Sequence, residues 1–462
     1  MPSGPTVLVM AAGHGTRMKS HLPKVLHPVC GRPMLHWTIA AAREAGAGDV
    51  VVVVRPGDGV EDALPDGVVA AAQTAGEGTG AAVNAARDHV DGSATVVILS
   101  GDHPLVSAET IRDLVTAHES ANASATLLTT DRLDPAGYGR IVRDGDGNVA
   151  SVVETRYPDA VAPEQLAIRE INIGTYAFNA GDMYAALDTV GEEGGELYLT
   201  AVFEQFRRDG KTVAAHRTDD VLAAQGVNDR RDLMEVERHA RRRLIDDHAR
   251  AGVTFTLPDT VAIDAAVEIG EDTTIEPGSV LRGSTSVGAG CTIGPHTTLI
   301  DAELGDRVSA IQTYATTCLV GDDVSIGPFA YLRPGTRIAN GAKIGTYVEV
   351  KNSTIGEGTK IPHLSYIGDA DIGAGSNIAA GNITANYHRG RKSRTKIGNS
   401  VKTGVDTAFV APVDVGDGAY TAAGSVITDD VPPGALAIAR PDQRNIEGYA
   451  ERVENESPDG KS

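Results

Sequence analysis

Aliphatic residues recur at every sixth position over much of the second half of the chain. The spacing is unbroken from Ile263 through Ile269 and Ile275 to Leu299, and it resumes from Val320. A period of six fits neither an α-helix, at about 3.6 residues per turn, nor a strand with alternating faces. It is typical of hexapeptide repeats, in which each hexad forms one short flat face of a parallel β-helix. We therefore predict a β-helix between about residues 263 and 427, with the aliphatic side chains pointing inward.

Small residues and glycines accompany this repeat. Thr273, Ser279 and Thr285 each follow an aliphatic position by four residues, and glycine often follows directly, as in Ile269-Gly270. A small side chain fits a narrow interior, and glycine helps the chain to turn a corner. The alternative is a disordered glycine-rich tract, but disorder would not maintain an aliphatic repeat over so many hexads. The pattern therefore favours a packed solenoid.

The first half of the chain alternates short apolar runs with alanine-rich amphipathic stretches. The predicted strands are 6–10, 49–54, 95–99, 125–129 and 173–178, and the predicted helices are 35–45, 80–89 and 108–120. Strands alternating with helices predict a mostly parallel α/β sheet. We assign this domain to residues 1–230, a charged and solvent-exposed linker helix to 231–251, and the β-helix domain to 252–462. Residues 451–462 are expected to form a frayed polar tail.

Composition narrows the function classes. The chain has 462 residues, enough for at least two domains, and its 41 Lys and Arg against 62 Asp and Glu argue against a nucleic-acid partner. Three cysteines, Cys30, Cys291 and Cys318, are too few for a disulfide framework. We find no secretory leader and no apolar run long enough to span a membrane. These features predict a cytoplasmic protein with no membrane partner.

A glycine-rich loop follows the first predicted strand. It runs from Met10 to Met18 with the sequence MAAGHGTRM, and Pro23-Lys24 comes shortly after it. Such a turn brings backbone amides to phosphate oxygens, and Arg17 and Lys24 supply cations for an anionic leaving group. An ordinary strand-to-helix turn is the alternative, and the dinucleotide fingerprint would require glycine where Met18 stands. The complete string resembles the signature of sugar-phosphate nucleotidyltransferases.

Further motifs occur in the order found in that family. The resemblance implies catalytic roles for Arg17 and Lys24 and substrate contacts from Met10, Ala11, Ala12, Gly13, Lys24, Gln73, Gly78, Thr79, Ser100, Gly101, Asp102, Gly139, Glu154, Asn172 and Asn228. An amide such as that of Gln73 can donate to and accept from the edge of uracil. Asp102 and Asn228 offer the oxygen ligands that Mg²⁺ prefers.

Polar and charged residues interrupt the hexads between residues 332 and 387. The motifs there are LRPG from Leu332, VEVKN from Val348, HLSYIGDA from His363 and NITANY from Asn382. With them, nearly the whole chain resembles the bifunctional bacterial enzymes of UDP-N-acetylglucosamine synthesis, which feed peptidoglycan and other envelope glycans. Those enzymes join a Rossmann-like uridylyltransferase to a left-handed β-helix acetyltransferase.

The resemblance also implies a second site and an assembly. Sugar-phosphate contacts are expected from Arg333, Lys351, Tyr366 and Asn377, and acetyl-CoA contacts from Ala380, Asn386, Tyr387, Val405, Ala423 and Arg440. His363 is the expected general base, because a histidine can accept the proton of an attacking amine near neutral pH. Glucosamine-1-phosphate would be acetylated first, and UTP would then react with N-acetylglucosamine-1-phosphate in the presence of Mg²⁺. Members of the family form homotrimers.

Two other functions remain open from the sequence. A sugar-1-phosphate nucleotidyltransferase with a structural or regulatory β-helix has no need for the set of His363, Lys351, Tyr366 and Asn386. A non-catalytic assembly subunit has no need for Arg17, Lys24 and Asp102. The residues at the two predicted sites therefore favour the bifunctional enzyme.

Overall fold

The computed structural model describes residues 4–92, 94–145, 147–153, 155, 161–192 and 194–456. The chain forms two compact units, Met1–Arg243 and Leu244–Ser462. We call the first the head and the second the prism.

The head contains short strands, helices and single helical turns. Its strands are β1 (Thr6–Met10), β2 (Pro28–Val29), β3 (Arg32–Pro33), β4 (Asp49–Val54), β5 (Val69–Ala72), β6 (Thr95–Ser100), β7 (Ala125–Thr130), β8 (Arg140–Arg143), β9 (Val149–Val153), β10 (Ile171–Asn179) and β11 (Val213–Arg217). Its helices are α1 (Met34–Glu44), α2 (Thr79–Ala85), α3 (Ala108–Ser120), α4 (Pro163–Leu166), α5 (Ala180–Leu187) and α6 (Ala201–Arg208). The 3₁₀ turns are Thr16–Met18, Lys24–Leu26, Glu61–Ala63, Arg87–His89 and Val221–Ala224.

A nine-stranded sheet organises the head, with the order β11-β7-β10-β6-β1-β4-β5 and with β8 and β9 attached to β10. Strand β1 lies in the middle and pairs in parallel with both β4 and β6. The predicted mostly parallel α/β sheet is confirmed, and β10 is antiparallel to both of its neighbours. The helix predicted over residues 80–89 is shorter, because α2 ends at Ala85 and a 3₁₀ turn covers Arg87–His89.

Both faces of this sheet are buried. Val7, Val9 and Val52 belong to one hydrophobic cluster, whereas Leu8 and Val51 belong to another. Successive side chains of a strand point to opposite faces, so a sheet covered on both sides requires a continuous apolar run rather than an alternating one. This requirement explains why Thr6–Met10 and Asp49–Val54 read as uninterrupted hydrophobic segments.

The prism has three faces built from parallel strands. The first face comprises Thr254–Phe255, Thr274–Ile275, Thr292–Ile293, Ser309–Ala310, Ser325–Ile326, Lys343–Thr346, Lys360–His363, Tyr420–Thr421 and Leu436–Ala437. The second comprises Ala262–Ile263, Val280–Arg282, Thr298–Ile300, Thr313–Thr316, Ala330–Leu332, Glu349–Lys351, Tyr366–Gly368, Ile383–Ala385, Ala408–Val410 and Val426–Ile427. The third comprises Glu268–Ile269, Ser286–Val287, Glu303–Leu304, Leu319–Val320, Arg337–Ile338, Thr354–Ile355, Ala370–Ile372, Thr395–Ile397 and Val413–Val415. A 3₁₀ turn covers Pro258–Thr260.

The aliphatic repeat forms the interior of the prism. Ile275, Leu281 and Ile293 are fully buried in one continuous core, and Leu281 pairs with Leu299 of the next coil. The small residues are also buried, and their hydroxyl groups donate to backbone carbonyls. Thr273 Oγ1 donates to Gly288 O at 2.8 Å. The predicted parallel β-helix is therefore confirmed, and the small positions satisfy polar backbone groups that would otherwise be buried without partners.

One insertion interrupts the coils. An antiparallel hairpin of Tyr387–His388 and Arg391–Lys392 leaves the corner between the second and third faces. Most of its residues are exposed, and the chain returns to the third face at Thr395–Ile397.

Two predictions about the ends of the prism need correction. The charged helix α7 (Arg230–Arg250) was expected to be fully solvated, but Val236 and Ala240 are fully buried and Ile245 joins the prism core. Val236 and Ala240 are one turn apart on the same side of the helix, whereas Ile245 lies on nearly the opposite side, so the highly charged helix buries apolar residues at two places. The first part of the expected frayed tail is helical, because α8 spans Tyr449–Glu456, and residues 457–462 lie outside the described residues.

Among the described residues, no helix combines the length and the apolar character needed to cross a membrane.

Candidate active sites

A cleft of about 280 Å³ lies at the edge of the head sheet where its parallel strands end. Met10 ends β1, Ser100 ends β6, Arg55 follows β4, and Gln73 follows β5. Ligands of open α/β sheets bind at this edge. The cleft is lined by Met10, Ala11, Ala12, Gly13, His14, Lys24, Val25, Arg55, Gln73, Glu77, Gly78, Thr79, Ala82, Ser100, Asp102, Glu196 and Tyr198. Most of the predicted substrate contacts of the head therefore share one cavity.

The glycine-rich loop is held at both ends by backbone hydrogen bonds. Ala11 N donates to Val53 O at 2.9 Å, and Met18 N donates to Gly15 O at 3.0 Å. Gly15 has a φ of 58°, and a Cβ at this position would lie 2.6 Å from Lys24 Cβ. Only glycine allows this left-handed backbone to approach Lys24 so closely. The loop thus packs closely against the Cβ of Lys24, whose ammonium group pairs with Asp102.

A second glycine position shapes the opposite wall of the cleft. Gly78 has a φ of 97°, and a Cβ there would lie 2.5 Å from Leu197 O. The adjacent Thr79 hydroxyl accepts the Leu199 amide at 3.0 Å. Gln73, the predicted partner of uracil, donates from Nε2 to Gly76 O at 3.0 Å. Leu197 N donates to Glu77 O at 2.8 Å, so residues 77–79 are tied to residues 197–199.

Asp102 is an acid of the cleft with several polar partners. Its carboxylate forms an ion pair with Lys24 and accepts the Ser100 hydroxyl at 2.6 Å. Burial opposes ionisation, but His103, Lys24 and Ser100 together hold the pKa of the Asp102 carboxyl below its usual range. Asp102 is therefore a carboxylate at neutral pH.

Asn228 lies beside Asp102 along the backbone. Val227 N donates to Asp102 O at 2.9 Å, so the following residue, Asn228, is adjacent to the end of β6. Its Oδ1 accepts Arg17 at 2.7 Å. Arg17 and Asn228 line a neighbouring cleft of about 720 Å³.

The predicted sugar contacts of the head are only partly described. Asn172 N donates to Gly139 O at 2.9 Å, so these two residues are neighbours. Asn172 is buried, and its amide donates to the Tyr176 hydroxyl at 2.7 Å. Gly139 and Asn172 do not line the cleft that contains Lys24. Glu154 lies outside the described residues.

In the prism, a polar cluster occupies the corner between the second and third faces. Buried Asp369 accepts Asn352 Nδ2 at 2.6 Å, accepts the Asn386 amide, and lies 3.5 Å from Lys351 Nζ. Burial opposes ionisation, but these three partners lower the pKa of the Asp369 carboxyl. The cluster fixes the positions of Lys351 and Asn386, which are two of the predicted ligand contacts.

Arg333 and Tyr366 lie beside this cluster on the second face. Arg333 N donates to Val350 O at 2.8 Å, so Arg333 is adjacent to Lys351 in the next coil. Its guanidinium donates to Glu349 at 2.7 Å, and Glu349 pairs with Tyr366 in the ladder. The predicted sugar-phosphate contacts Arg333, Lys351 and Tyr366 are thus neighbours in successive coils.

His363 lies on the other corner, between the first and second faces. It is exposed, and its carbonyl accepts Gly381 N. Backbone hydrogen bonds connect successive coils along this corner. Ala380 O accepts Asp406 N at 2.9 Å, and Val405 O accepts Gly424 N at 2.8 Å. Ala380, Val405 and Ala423 therefore stack above His363 in successive coils. We call this stack the His363 corner.

Three predicted contacts are separated from these groups. Asn377 is exposed on the first face, bridged to Lys360 and Lys402, whereas Tyr366 lies on the second face. Tyr387 is exposed in the hairpin, and Arg440 is exposed after the last coil. A single prism therefore does not bring all the predicted acetyl-transfer residues together.

Two residues of these sites were missed by sequence reasoning. Arg55 lines the head cleft, and its position directly after the buried run Asp49–Val54 was a usable signal. Asp369, the centre of the prism cluster, lies within the HLSYIGDA motif but carries no spacing that marks it. Its role depends on partners from two other coils, Lys351 and Asn352 in one and Asn386 in the other, which no local pattern reveals.

Comparison with known proteins identifies both units. The MobA-like NTP transferase domain family matches residues 7–151, and the bacterial transferase hexapeptide family (six repeats) matches residues 266–301 and 317–352. The bifunctional protein GlmU of Mycolicibacterium vanbaalenii is 48% identical over 460 residues, which are 96% of this chain and 92% of that protein. Bifunctional protein GlmU of Mycolicibacterium gilvum is 47% identical, covering 97% and 92%, and that of Mycobacterium tuberculosis is 45% identical, covering 99% and 94%.

The nucleotidyltransferase family matches the head, and the hexapeptide family matches the prism. The GlmU relatives match both units, because the similarity covers nearly the whole length of each chain. The chain therefore belongs to the GlmU family of bifunctional enzymes, with a nucleotidyltransferase domain followed by a hexapeptide-repeat acetyltransferase domain.

Proposed function

We propose that the prism acetylates glucosamine-1-phosphate with acetyl-CoA and that the head then transfers UMP from UTP to N-acetylglucosamine-1-phosphate. The observation that supports this proposal is the His363 corner, where the predicted acetyl-CoA contacts Ala380, Val405 and Ala423 lie in the coils above the predicted base His363. A nucleotide cleft alone would support many nucleotidyltransferases. The combination with this corner is what favours consecutive acetyl and uridylyl transfer.

In the head, the reaction is an in-line attack. An oxygen of the sugar 1-phosphate bonds to the α-phosphorus of UTP, and the bond to the pyrophosphate oxygen breaks. Negative charge grows on the leaving group, and fixed cations stabilise it. Lys24 in the cleft and Arg17 beside Asn228 are the residues that we assign to this role.

The donor set beside the cleft fits Mg²⁺. Asp102 supplies an ionised carboxylate and Asn228 an amide oxygen, and Mg²⁺ commonly takes one or two protein oxygens together with water and substrate phosphates. When bound, Mg²⁺ would neutralise charge on the transferred phosphate. Lys24 and Arg17 now contact these two side chains, so both cations are positioned next to the same oxygens.

In the prism, the amine of glucosamine-1-phosphate attacks the thioester carbonyl carbon. The C–S bond breaks, CoA leaves as the thiolate, and the amine proton passes to His363. Lys351 and Arg333 supply positive charge for the sugar phosphate, and Tyr366 lies beside them. Ala380, Val405 and Ala423 provide the backbone along which the acyl carrier would lie.

One incubation tests the proposal against its rival. We would mix the chain with glucosamine-1-phosphate, acetyl-CoA, UTP and Mg²⁺ and follow the products by mass spectrometry. Consecutive catalysis predicts N-acetylglucosamine-1-phosphate first and UDP-N-acetylglucosamine second. A sugar-1-phosphate nucleotidyltransferase with a structural β-helix would consume UTP but leave acetyl-CoA intact.

We also propose a homotrimer in which neighbouring copies complete the acetyl site. Support comes first from the separation of Asn377 and Tyr366 on different faces of one prism. Further support comes from exposed apolar residues in successive coils. Phe329 and Tyr347 stack at 5.2 Å, and Leu364 is 64% exposed. Exposed apolar patches of this kind mark interaction surfaces.

Light scattering tests the assembly. A trimer would give three times the monomer mass of 48.0 kDa. Tyr347→Ser should reduce both the mass and acetyl transfer, because it removes apolar contact area from the patch. Uridylyl transfer should persist, because the head cleft is built within one chain. A monomer with full acetyl transfer would contradict the shared site.

A cytoplasmic location is part of the proposal. Cys291 and Cys318 are buried thiols in the prism interior, and burial raises the pKa of Cys318 to about 12. Reduced cysteines are usual in the reducing cytoplasm, where nucleotide and acetyl-CoA substrates are also available.

A further inference from the structure

Arg55 reaches from the sheet edge into the nucleotide cleft. It directly follows β4, which runs parallel to β1, so both strands deliver their next residues to the same edge. Gln73 N donates to Val54 O at 2.9 Å, which puts Arg55 beside the predicted uracil partner. Arg55 is half-buried and lines the cleft together with Lys24.

The guanidinium group of Arg55 holds the middle of the glycine-rich loop. Its Nε and one terminal nitrogen donate to Ala12 O at 3.3 and 3.2 Å. The other terminal nitrogen lies 2.8 Å from His14 Nδ1. The ends of the loop are held by backbone bonds, so Arg55 supplies the contacts between them. A planar fork with several donors is suited to holding two acceptors at once.

The space next to these contacts is open. A Cβ added to Gly13, which lies between Ala12 and His14, would meet no atom within 4 Å. A ligand oxygen could therefore approach the backbone at Gly13 without moving the protein. The side chain that fixes this stretch thus also borders the space that a phosphate group would enter.

Among the described residues, no acid contacts the Arg55 guanidinium. Its recorded hydrogen-bond partners, Ala12 O and His14 Nδ1, are not carboxylates. Within the part of the chain that the structure describes, no carboxylate lies within 4 Å of its guanidinium nitrogens. Lys24, in contrast, is paired with Asp102. An unbalanced cation beside an open phosphate-sized space favours an anionic ligand.

We propose that Arg55 is a positioning residue for the nucleotide, which holds Ala12–His14 of the loop in the conformation that receives the UTP triphosphate. The inference rests on the proposed uridylyl transfer in the head. Because Arg55 acts on the ground-state complex, its loss should weaken UTP binding much more than it slows turnover.

The test compares Arg55→Met with Arg55→Lys. We would measure the Kd for UTP by calorimetry without sugar phosphate, and KM and kcat for uridylyl transfer. Arg55→Met should weaken UTP binding roughly tenfold, the scale of one charge-assisted hydrogen bond, with kcat within about twofold. Arg55→Lys should not restore binding, because an ammonium group cannot hold both loop acceptors.

Matched variants exclude general effects. Arg112→Met removes another guanidinium, which donates to Glu44 O at 3.0 Å outside the cleft, and it should leave UTP binding unchanged. His14→Ala removes one partner of Arg55 and should weaken UTP binding by a smaller factor than Arg55→Met. This variant provides an independent test if Arg55→Met folds poorly.

Each outcome has a defined meaning. Unchanged Kd and KM in Arg55→Met would overturn the inference, and so would full restoration by Arg55→Lys, since charge alone would then suffice. A wild-type chain that does not bind UTP would instead overturn the proposed function of the head.

Discussion

The head and the prism build their candidate sites in opposite ways. The head gathers residues as distant as Met10 and Ser100 into one concave cleft, because parallel strands separated in sequence end at the same edge. The prism exposes its candidates on flat faces and corners, and residues close in sequence, such as Tyr366 and Asn377, lie on different faces.

The difference teaches how each architecture acquires a pocket. A doubly covered sheet forms a crevice by itself, because its loops rise around the ends of the strands. The β-helix has flat faces and a filled interior, and the predicted acetyl-transfer residues are spread over its faces and corners, so neighbouring chains are needed to bring them together. We therefore expect head chemistry to depend on one chain and prism chemistry to depend on the assembly.

The largest expected effect is on acetyl transfer. His363→Ala should lower it by roughly 10²–10⁴-fold, the usual scale for loss of a general base. Uridylyl transfer to supplied N-acetylglucosamine-1-phosphate should remain at the wild-type rate. Both rates are measured by product formation in separate assays. His296→Asn, at another exposed corner of the prism, is the matched control and should leave both rates unchanged. Near wild-type acetylation by His363→Ala would move the base to another group.

The converse change concerns Asp102. Asp102→Asn removes a carboxylate that organises Lys24 and offers an oxygen ligand, so pyrophosphate release should fall by roughly 10²–10³-fold. The rate of acetyl transfer by this variant should stay within about twofold of the wild-type rate. Asp219→Asn, which breaks an exposed ion pair with Arg132, serves as the control. Equal loss of both activities in a folded protein would refute the separation of the two sites.

A substitution in the core of one unit should lower the stability of that unit and leave the other unit unchanged. Ile344 is fully buried in the prism core, so Ile344→Ala should destabilise the prism by about 2–5 kcal/mol. Lys343→Ala changes the exposed neighbour and should alter the free energy of unfolding by no more than about 0.5 kcal/mol. Denaturant unfolding followed by UTP binding and by acetyl transfer reports the two units separately. A shift of both transitions by Ile344→Ala would show that the units unfold together.

The prism cluster predicts a pH effect. The pKa of folded Asp369 lies below the ordinary value of 3.8, so its stabilisation is complete above that value. This stabilisation is lost as the pH falls from about 4 through the lower pKa of Asp369 in the folded protein. Asp369→Asn should therefore be less stable at neutral pH, by about 1–3 kcal/mol, and should lose less on acidification than the wild type. Melting temperatures of the wild type and Asp369→Asn, measured across this pH range, test the prediction. Equal decreases of the melting temperature in the two proteins on acidification would contradict it.

The smallest expected effect is at a prism corner. Asp322 Oδ1 accepts Asp306 N at 2.9 Å, and Asn340 repeats the contact by accepting Asp322 N at 3.0 Å. Asp322→Ala should destabilise the prism by about 1 kcal/mol, because it leaves a backbone amide without its partner. Asp322→Asn keeps an acceptor oxygen and should retain most of the stability. Equal losses in the two variants would assign the effect to charge.

Regular elements were largely predictable from the sequence. The helix over 108–120 matches α3, the strand over 6–10 matches β1, and the repeat that includes Ile275 and Leu281 forms the prism interior. In these segments, local periodicity and burial require the same residues. The turn that follows the first strand was also predictable, since the apolar run ends directly at Ala11-Ala12-Gly13, and its nucleotide role stays a prediction.

Long-range contacts were decided only by the tertiary structure. Arg55 enters the cleft because β4 pairs with β1, Asp369 gathers polar partners from two other coils, and α7 buries Val236 within a highly charged sequence. Periodicity reports which side of one element is apolar, but it carries no information about which other element covers that side. The sequence by itself therefore determined most of the regular elements and the solenoid, because local periodicity decides which residues one element buries. The tertiary structure alone decided which polar groups meet, because that depends on strand order and on the register between coils.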